Sequence, residues 1–334
     1  MSKIVSRIKR YALHPMVLIR TMVAVLIDSR AGHVLLDKAY IKIKWWTRFG
    51  ISEKLDLANP QGFNQKIQWL KLYDRREVYT TMVDKYEVKK YVADQIGKQY
   101  IVPTLGIFDT FDEIDFDSFP NQFVMKCTHD SGGLVICRDK SKLDYEKART
   151  KINKSLKCEY FYRGREWPYK NVKPRIIIEK YMEDSHNESK GLRDYKFYCF
   201  DGEPKFLYIS EGLEDHSTAS ISFVKLDWNF APFKRSDYRA FDELPTKPEG
   251  FDEMLVVCRK LSRGIPFLRC DLYEVNGNIY FSELTFSPCD GLMPFDPPES
   301  NLEIGKLLQL PNHSGGDITN IYLPAYCLGG GVAA

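Results

Sequence analysis

The spacing of apolar and polar residues divides the chain into a helical first part and a strand-rich second part. Apolar residues recur at helical spacing up to about Gly50 and again over residues 59–97, where we predict two further helices. From residue 173 onward they alternate or form short apolar runs, which is typical of strands, and one predicted helix, Phe251 to Arg263, interrupts them. Helices followed by an antiparallel sheet predict an α+β architecture.

A segment of mixed pattern joins the two parts. Residues 100–120 predict a short strand followed by an acidic loop, and residues 121–140 predict two short strands around a glycine turn. A predicted helix from Leu143 to about Leu156 follows. The residues after Pro311 have no periodic pattern, and we expect a loosely attached tail there.

The predicted hairpin over residues 267–288, FLRCDLYEVNGNIYFSELTFSP, places acids in both strands. Side chains alternate between the two faces of a strand, so the loop length decides whether Asp271 and Glu283 share a face. A two-residue Asn276-Gly277 turn would separate them, whereas a three-residue loop with Gly277 left-handed would bring them together. We predict the three-residue loop.

Two neighbouring carboxylates would repel each other unless a cation or a shared proton lies between them. Mg²⁺ bound through one or two carboxylates and substrate phosphates meets that need, and Arg269 would lie beside it. The alternative is an exposed, salt-bridged sheet face, which is common in antiparallel sheets. The hairpin alone does not separate these two interpretations.

Two other segments offer cations for phosphate groups. Lys126 ends an apolar strand just before the turn Ser131-Gly132-Gly133, and a turn without Cβ atoms allows backbone N–H groups to approach phosphate oxygens. Asp194 and Lys196 share one strand face and add a second cation. The apolar strand before Glu179 to Met182 offers backbone for an adenine, with Glu183 or Asp184 beside a ribose. Each segment also has an ordinary structural interpretation.

Five segments in this order resemble the TupA-like ATP-grasp family, whose members are linked to bacterial surface polysaccharide synthesis, including teichuronopeptide. The segments are NPQGFNQKIQWLKLYDR, VDKYEVKKYV, FVMKCTHDSGG, LRDYKFYCFDGEPKF and LRCDLYEVNGNIYFSELTFSP. The resemblance extends over about Leu55 to Pro311 and implies an ATP-grasp fold, in which two α+β subdomains clamp ATP. It implies an N-terminal subdomain (55–120), a central lid subdomain (121–185) with the glycine loop and a C-terminal subdomain (186–311). From the sequence pattern we expect a basic helical region (1–54) before them and a loosely ordered tail (312–334) after them.

The resemblance also implies a role for individual residues. Arg269 and Lys196 would be catalytic, beside the transferred phosphoryl group. The ATP-binding residues would be Lys126, Ser131, Gly132, Gly133, Glu179, Lys180, Tyr181, Met182, Glu183 or Asp184, Asp194 and Lys196. The Mg²⁺ ligands would be Asp271 and Glu283, with Thr285 at a position where many ATP-grasp enzymes have Asn. Because a hydroxyl is a weaker ligand, this departure leaves the number of metal ions open.

The implied activity is that of an ATP- and Mg²⁺-dependent carboxylate–amine ligase acting through an acyl phosphate. The expected substrates are a uronic acid of a glycan or its lipid-linked precursor and an amino acid or amine. A sugar kinase would share the phosphate site. His129 and Asp130, beside the glycine turn, are candidates for the base. The rival class is a nucleotide-sugar glycosyltransferase, which would use Asp115 to Asp117 as a D-x-D metal motif.

Composition narrows the classes of partner and compartment. A net charge of +3, with basic and acidic residues interspersed, does not favour a nucleic-acid partner. Eight cysteines without a C-x-x-C pair predict reduced, packed thiols in a cytoplasmic protein. The six histidines are dispersed, so no zinc site with recognisable spacing is present.

The N-terminal region differs from the rest of the chain because its basic residues are not balanced by acidic ones. Its apolar run, Met16 to Ile27, is too short to span a bilayer, but with its basic neighbours it could lie against anionic headgroups at the inner face of the membrane. The alternative is that these helices pack on the protein's own core. Five aromatic residues could likewise stack on sugars or belong to the core: Trp45, Trp46, Trp69, Tyr73 and Trp167.

Overall fold

The computed structural model describes residues 15–185, 191–213 and 219–312. The chain begins there with five helices: α1 (Pro15–Ile27), α2 (Asp37–Phe49), α3 (Phe63–Tyr73), α4 (Val78–Val83) and α5 (Glu87–Ile96). The prediction of two helices over residues 59–97 is wrong, because there are three, and the second and third are separated at Asp84. Its carboxylate accepts hydrogen bonds from the backbone N–H groups of Tyr86 and Glu87. The predicted tail from residue 313 onward lies outside the described residues.

A four-stranded antiparallel sheet follows the helices. Its strands are β1 (Thr104–Phe108), β2 (Phe123–Cys127), β3 (Leu134–Cys137) and β4 (Ile176–Lys180), in the order β1-β4-β2-β3. Two helices lie between β3 and β4, α6 (Tyr145–Leu156) and α7 (Phe161–Gly164). Helix α6 packs against β2 and β3, so Ile152 and Ala148 share a core with Phe123 and Met125. The predicted strands around the glycine turn and the helix to Leu156 are confirmed.

The second sheet has five antiparallel strands. They are β5 (Asp194–Phe200), β6 (Glu203–Glu211), β7 (Ser220–Lys225), β9 (Phe267–Val275) and β10 (Asn278–Thr285), in the order β10-β9-β5-β6-β7. The remaining elements are α8 (Phe251–Ser262), α9 (Ser300–Leu307) and a small pair formed by β8 (Lys234–Arg235) and β11 (Phe295–Asp296). These helices and sheets confirm the predicted α+β class.

The two faces of the five-stranded sheet differ. One face packs against α5 and α8, where Cys270, Leu272 and Phe197 are fully buried. The other face is aromatic where α3 covers it, since Phe63 packs edge-on against Phe267 at 5.0 Å between ring centroids. Beyond the helix this same face becomes charged. Lys196, Arg269 and Asp271 lie on this charged part of the sheet.

The β9–β10 hairpin does not have the predicted three-residue loop. Val275 pairs with Asn278, so Asn276 and Gly277 form a two-residue turn, both with left-handed backbone (φ 51° and 75°). Such a turn would separate the two acids, but a β-bulge lies between Phe281 and Glu283. The extra residue moves the side chains that follow it to the opposite face of the sheet. Glu283 therefore pairs directly with Asp271, as required for a shared site.

Candidate active site

The charged part of the five-stranded sheet is centred on Asp271, whose side chain is fully buried. Arg269 donates to both of its oxygens, with Nε to Oδ1 at 2.7 Å and Nη2 to Oδ2 at 2.6 Å. Lys196, which pairs with Asp271 across β5 and β9, places Nζ 2.6 Å from Oδ2 and 3.1 Å from Asp194. Two buried cations thus converge on one buried carboxylate.

Glu283 and Thr285 complete this cluster from β10. Arg269 Nη2 also donates to Glu283 Oε1 at 2.8 Å and to Thr285 Oγ1 at 2.9 Å. Burial raises the pKa of Asp271 to about 6, since Arg269 and Lys196 compensate only in part. For Glu283, desolvation is outweighed by Lys196, Arg269 and Lys85, which lower its pKa to about 2. The two acids therefore differ in their affinity for a proton although they face each other.

A second charged group lies on the four-stranded sheet. Lys126 Nζ is 2.7 Å from Glu179 Oε2, and Lys89 forms an ion pair with the other oxygen of Glu179. Burial of Glu179 opposes ionisation, but the two lysines outweigh it and lower its pKa. The same ion pair raises the pKa of Lys126 despite its burial. Glu179 therefore fixes the direction of Lys126 through its side chain, a role that its predicted place in an adenine hinge did not include.

A cavity of about 390 Å³ lies between the two charged groups. Lys126, Glu179 and Asp194 line one part of it, and the rest is largely apolar. The apolar lining comprises Val102, Val124, Leu134, Ile136, Met182, Leu192, Leu213 and Tyr273. An apolar slot that ends in lysines and a carboxylate has the shape and chemistry of a site for a flat heterocycle joined to phosphates.

The predicted hinge residues lie at this cavity. Lys180, Tyr181 and Met182 line it. The backbone N–H of Lys180 donates to Pro103 O at 2.9 Å, so that donor is already used. Glu183 and Asp184 are not among the lining residues. The carboxylate of Asp184 accepts a hydrogen bond from the backbone N–H of Asn276 at 3.3 Å, whereas Glu183 is exposed.

The turn Ser131-Gly132-Gly133 joins β2 to β3. Ser131 and Gly132 are exposed, and Ser131 Oγ lies 3.4 Å from the hydroxyl of Tyr160. Gly133 is buried, and a Cβ there would lie 2.3 Å from Ser155 Oγ and 2.7 Å from Cys127 Sγ. Gly133 is therefore required by packing, which the sequence argument about phosphate approach did not foresee.

His129 and Asp130 do not face the cleft as a base would. His129 is buried, not exposed, and Nε2 lies 3.2 and 3.1 Å from the carbonyl oxygens of Ser155 and Cys158. Asp130 accepts hydrogen bonds from Ser155 Oγ and, at 3.2 Å, from the Gly133 N–H. Both residues tie the glycine turn to the end of α6.

Several residues near the site were not assigned from the sequence. Lys85 donates to the backbone oxygen of Asp130, and its charge acts on Glu283. Lys71 pairs with Asp290 at 2.5 Å, just beyond the hairpin. Glu166, from a segment between α7 and β4, is buried near the same groups. Lys71 and Lys85 lie in two of the segments that carry the family resemblance, but no role was assigned to them, and Glu166 lies outside all five segments.

The alternative motifs have structural roles. Asp115 caps a short 3₁₀ helix, Phe116–Ser118, by accepting from the Asp117 N–H at 3.1 Å. Of the aromatic residues considered for sugar stacking, Trp45 and Trp69 are buried, and Trp167 packs against the core.

Three cysteines whose spacing gave no signal meet in the interior. Cys199, Cys258 and Cys270 are fully buried on the apolar face of the sheet, and their sulfur atoms lie within 4.8 Å of one another. The seven cysteines described as free, including these three, agree with the predicted reduced state.

The donor set fits Mg²⁺ and a nucleotide. Two carboxylates and a hydroxyl from neighbouring strands, Asp271, Glu283 and Thr285, present oxygen atoms on one sheet face. Hard oxygen donors of this kind suit Mg²⁺. The lysines at the end of the 390 Å³ cavity suit phosphate.

Comparison with known proteins gives the family. A family model described as TupA-like ATPgrasp matches residues 65–309. No curated protein matches the chain. Among solved structures, it is similar to D-alanine–D-alanine ligase from Helicobacter pylori, with 17% identity over 74% of this chain and 69% of that chain, and a TM-score of 0.36.

Two further solved structures are similar to the chain, with comparable sequence identities and TM-scores. D-alanine–D-alanine ligase from Bacillus anthracis has 16% identity over 68% of this chain and 59% of that chain, with a TM-score of 0.34. The ATP-grasp ligase PsnB, complexed with Mg and ADP, has 12% identity over 63% and 52%, with a TM-score of 0.36. The chain thus spans less than two thirds of the Bacillus anthracis enzyme. The family model covers most of the chain, and the protein therefore belongs to the TupA-like ATP-grasp family.

Proposed function

We propose that the protein is an ATP-dependent carboxylate–amine ligase. The observation that carries the proposal is the convergence of Lys196, Arg269 and three oxygen donors on one sheet face, beside an apolar cavity that ends at Lys126. In this proposal the cavity binds the adenine and ribose of ATP, and Ser131 to Gly133 lie over its phosphates. The hinge segment, Glu179 to Met182, borders the base, while Glu183 or Asp184 serves the ribose.

A carboxylate at neutral pH must be activated before an amine can attack it. Transfer of the γ-phosphoryl group of ATP to the substrate carboxylate gives an acyl phosphate and ADP, and attack by the amine then gives the amide and free phosphate. Lys126, Lys196 and Arg269 would stabilise the negative charge on the phosphoryl group as it moves. Mg²⁺ held by Asp271, Glu283 and Thr285 would supply further positive charge at the phosphate oxygens.

The substrates we propose are a uronic acid of a cell-surface polysaccharide, or its lipid-linked precursor, and an amino acid or amine. The support is the family to which the chain belongs. The test is turnover of ATP with Mg²⁺ across a panel of uronic acids, each with and without amino acids, while ADP and free phosphate are measured.

We expect phosphate release that requires both an acid and an amine. A sugar kinase would release ADP without free phosphate. Cleavage of a nucleotide sugar, with no turnover of ATP, would instead favour the glycosyltransferase class.

The N-terminal helices support a place for the protein at the inner face of the cell membrane. Helix α1 exposes a row of large apolar side chains: Met16, Leu18, Ile19, Met22, Val25 and Leu26, which are 38–67% exposed. Val34 and Leu36 are exposed nearby, and basic residues, Arg30, Lys38 and Lys42, lie on the same part of the chain. No helix within the described ranges is long and apolar enough to cross a bilayer. An apolar face beside basic residues fits the surface of an anionic membrane.

We expect the full chain to co-sediment with vesicles containing phosphatidylglycerol and to bind phosphatidylcholine vesicles less well. Replacing Met22 and Val25 by Glu should lower the bound fraction at least about fivefold, because each change removes apolar area and adds repulsion. Val256→Glu, at an exposed apolar residue of α8, is the matched control. Equal sedimentation of all three proteins would refute membrane contact through α1.

A further inference from the structure

A second cavity, of about 940 Å³, adjoins the candidate active site. Ser131 of the glycine turn lines it on one side, and Thr21, Ala24 and Val25 of α1 line it on another. Asp290, which follows the metal-binding hairpin, and Glu166 also line it. The cavity therefore connects the proposed phosphate site with the N-terminal helix.

Four carboxylates line this cavity, and three of them have cationic partners. Asp28 pairs with Lys44, Asp290 with Lys71 and Asp237 with Arg235. Glu166 is the exception, since no residue in the described parts of the chain forms a hydrogen bond or ion pair with its carboxylate. The residue is nevertheless only 9% exposed. A largely buried carboxylate that faces a cavity without an ion-pair partner is stabilised when a cation or a proton reaches it.

The surroundings of Glu166 hold Asp290 firmly in place. Gln68 donates to the backbone oxygen of Asp290 at 2.8 Å, and Lys71 binds its carboxylate. Cys289 and Asp290 both have left-handed backbone (φ 53° and 60°), which is unfavourable for residues other than glycine. A Cβ on Gly164 would lie 2.2 Å from Asp290 Oδ1, so helix α7 closes over this acid. Backbone strain maintained by several contacts is characteristic of functional sites.

We propose that the 940 Å³ cavity binds the amine substrate and that Glu166 takes its proton. This inference rests on the proposed ligase function. When the amine nitrogen bonds to the acyl carbon, the bond from that carbon to the phosphate oxygen breaks, and phosphate leaves with the electron pair. Before this attack, the Glu166 carboxylate takes one proton from the ammonium form of the substrate. The leaving phosphate takes the second proton from nitrogen, and Glu166 gives its own proton to solvent after the amide departs.

The electrostatic surroundings of Glu166 are consistent with this role. Burial, and then the charge of Asp290, raise the pKa of Glu166 to about 8, against the opposing charges of Lys71 and Arg269. Glu283 adds to the rise, and Tyr160 and Tyr169 also interact with Glu166. A group whose pKa lies near the working pH exchanges protons readily.

The test compares two nucleophiles in one reaction. With the uronic acid that gives the fastest turnover, hydroxylamine traps the acyl phosphate as a hydroxamate, and it is largely unprotonated at neutral pH. The substrate amine needs its proton removed. We expect Glu166→Gln to lower the ratio of amide to hydroxamate about 10²-fold, which is the low end of general-base effects, and to raise the KM for the amine.

Two variants control this comparison. Glu166→Asp keeps a carboxylate and should recover part of the ratio, while Glu159→Gln, at an exposed glutamate in the preceding segment, should leave the ratio unchanged. An unaltered ratio in Glu166→Gln, or an equal loss of both products, would overturn the proposal. If the unmodified protein forms hydroxamate from no acid, the ligase function fails and the amine site fails with it.

Discussion

Replacing Glu283 by Gln should lower ATP turnover at least about 10³-fold. The carboxylate is one of two that would hold Mg²⁺, and loss of several kcal/mol of charge stabilisation corresponds to a factor of this size. Because the Glu283 side chain is 38% exposed, the isosteric change should affect the fold far less than the activity. Initial rates of ADP release at saturating ATP and Mg²⁺, with thermal unfolding measured beside them, give both quantities.

A suitable control for that experiment is Glu203→Gln. Glu203 pairs with Arg259 at the surface, where both side chains are about half exposed, so its loss should alter neither rate nor stability measurably. Turnover by Glu283→Gln within tenfold of the unmodified protein would contradict the placement of the metal site on the hairpin.

Asp271→Asn should destabilise the free protein by about 3–5 kcal/mol, the cost typical of removing one partner from a buried ion pair. Asp271 is fully buried, and the change leaves Arg269 and Lys196 without the carboxylate that both contact. We expect a lower midpoint of urea unfolding with no nucleotide or Mg²⁺ present. Because no metal is present in this measurement, the loss of stability is separate from any loss of metal binding.

A double replacement tests the cause. If repulsion between unpaired cations is responsible, adding Lys196→Met to Asp271→Asn should cost less than the sum of the two single changes. Asp227→Asn provides the surface comparison, since Asp227 pairs with Lys225 where both are exposed. Additive costs, or a midpoint equal to that of Asp227→Asn, would show that the buried cluster does not hold the sheet together.

Local patterns predicted much of the fold. The helix that ends at Leu156 and the strands on either side of the glycine turn follow from short apolar runs bounded by turn residues. The hairpin shows the limit of such reasoning. We correctly expected Asp271 and Glu283 to lie on the same face of the hairpin, but we attributed this to a longer loop. A bulge at Ser282 produces the arrangement, and no sequence signal marks that bulge.

The site was predictable where its residues lie in motifs and not where they come from distant segments. Lys196 and Asp271 are 75 positions apart, yet each belongs to a strand with a recognisable pattern. Glu166 has no such context, since it lies between short helices in a segment with no periodicity. His129 was considered as a base because it lies beside the glycine turn, but its ring is buried against the carbonyl oxygens of Ser155 and Cys158. Tertiary contacts therefore determine where Glu166 and His129 lie.

The bulge at Ser282 bears on how this hairpin can change during evolution. A two-residue turn with one bulge and a three-residue turn without a bulge give the same facing of Asp271 and Glu283. Insertions and deletions between the two acids are therefore acceptable in compensating pairs, whereas a single one would turn Glu283 into the core and Leu284 toward the cleft. The number of residues between the two acids decides whether they share a face. Among descendants of this hairpin, selection would preserve the parity of that number more strictly than the identity of any residue between the acids.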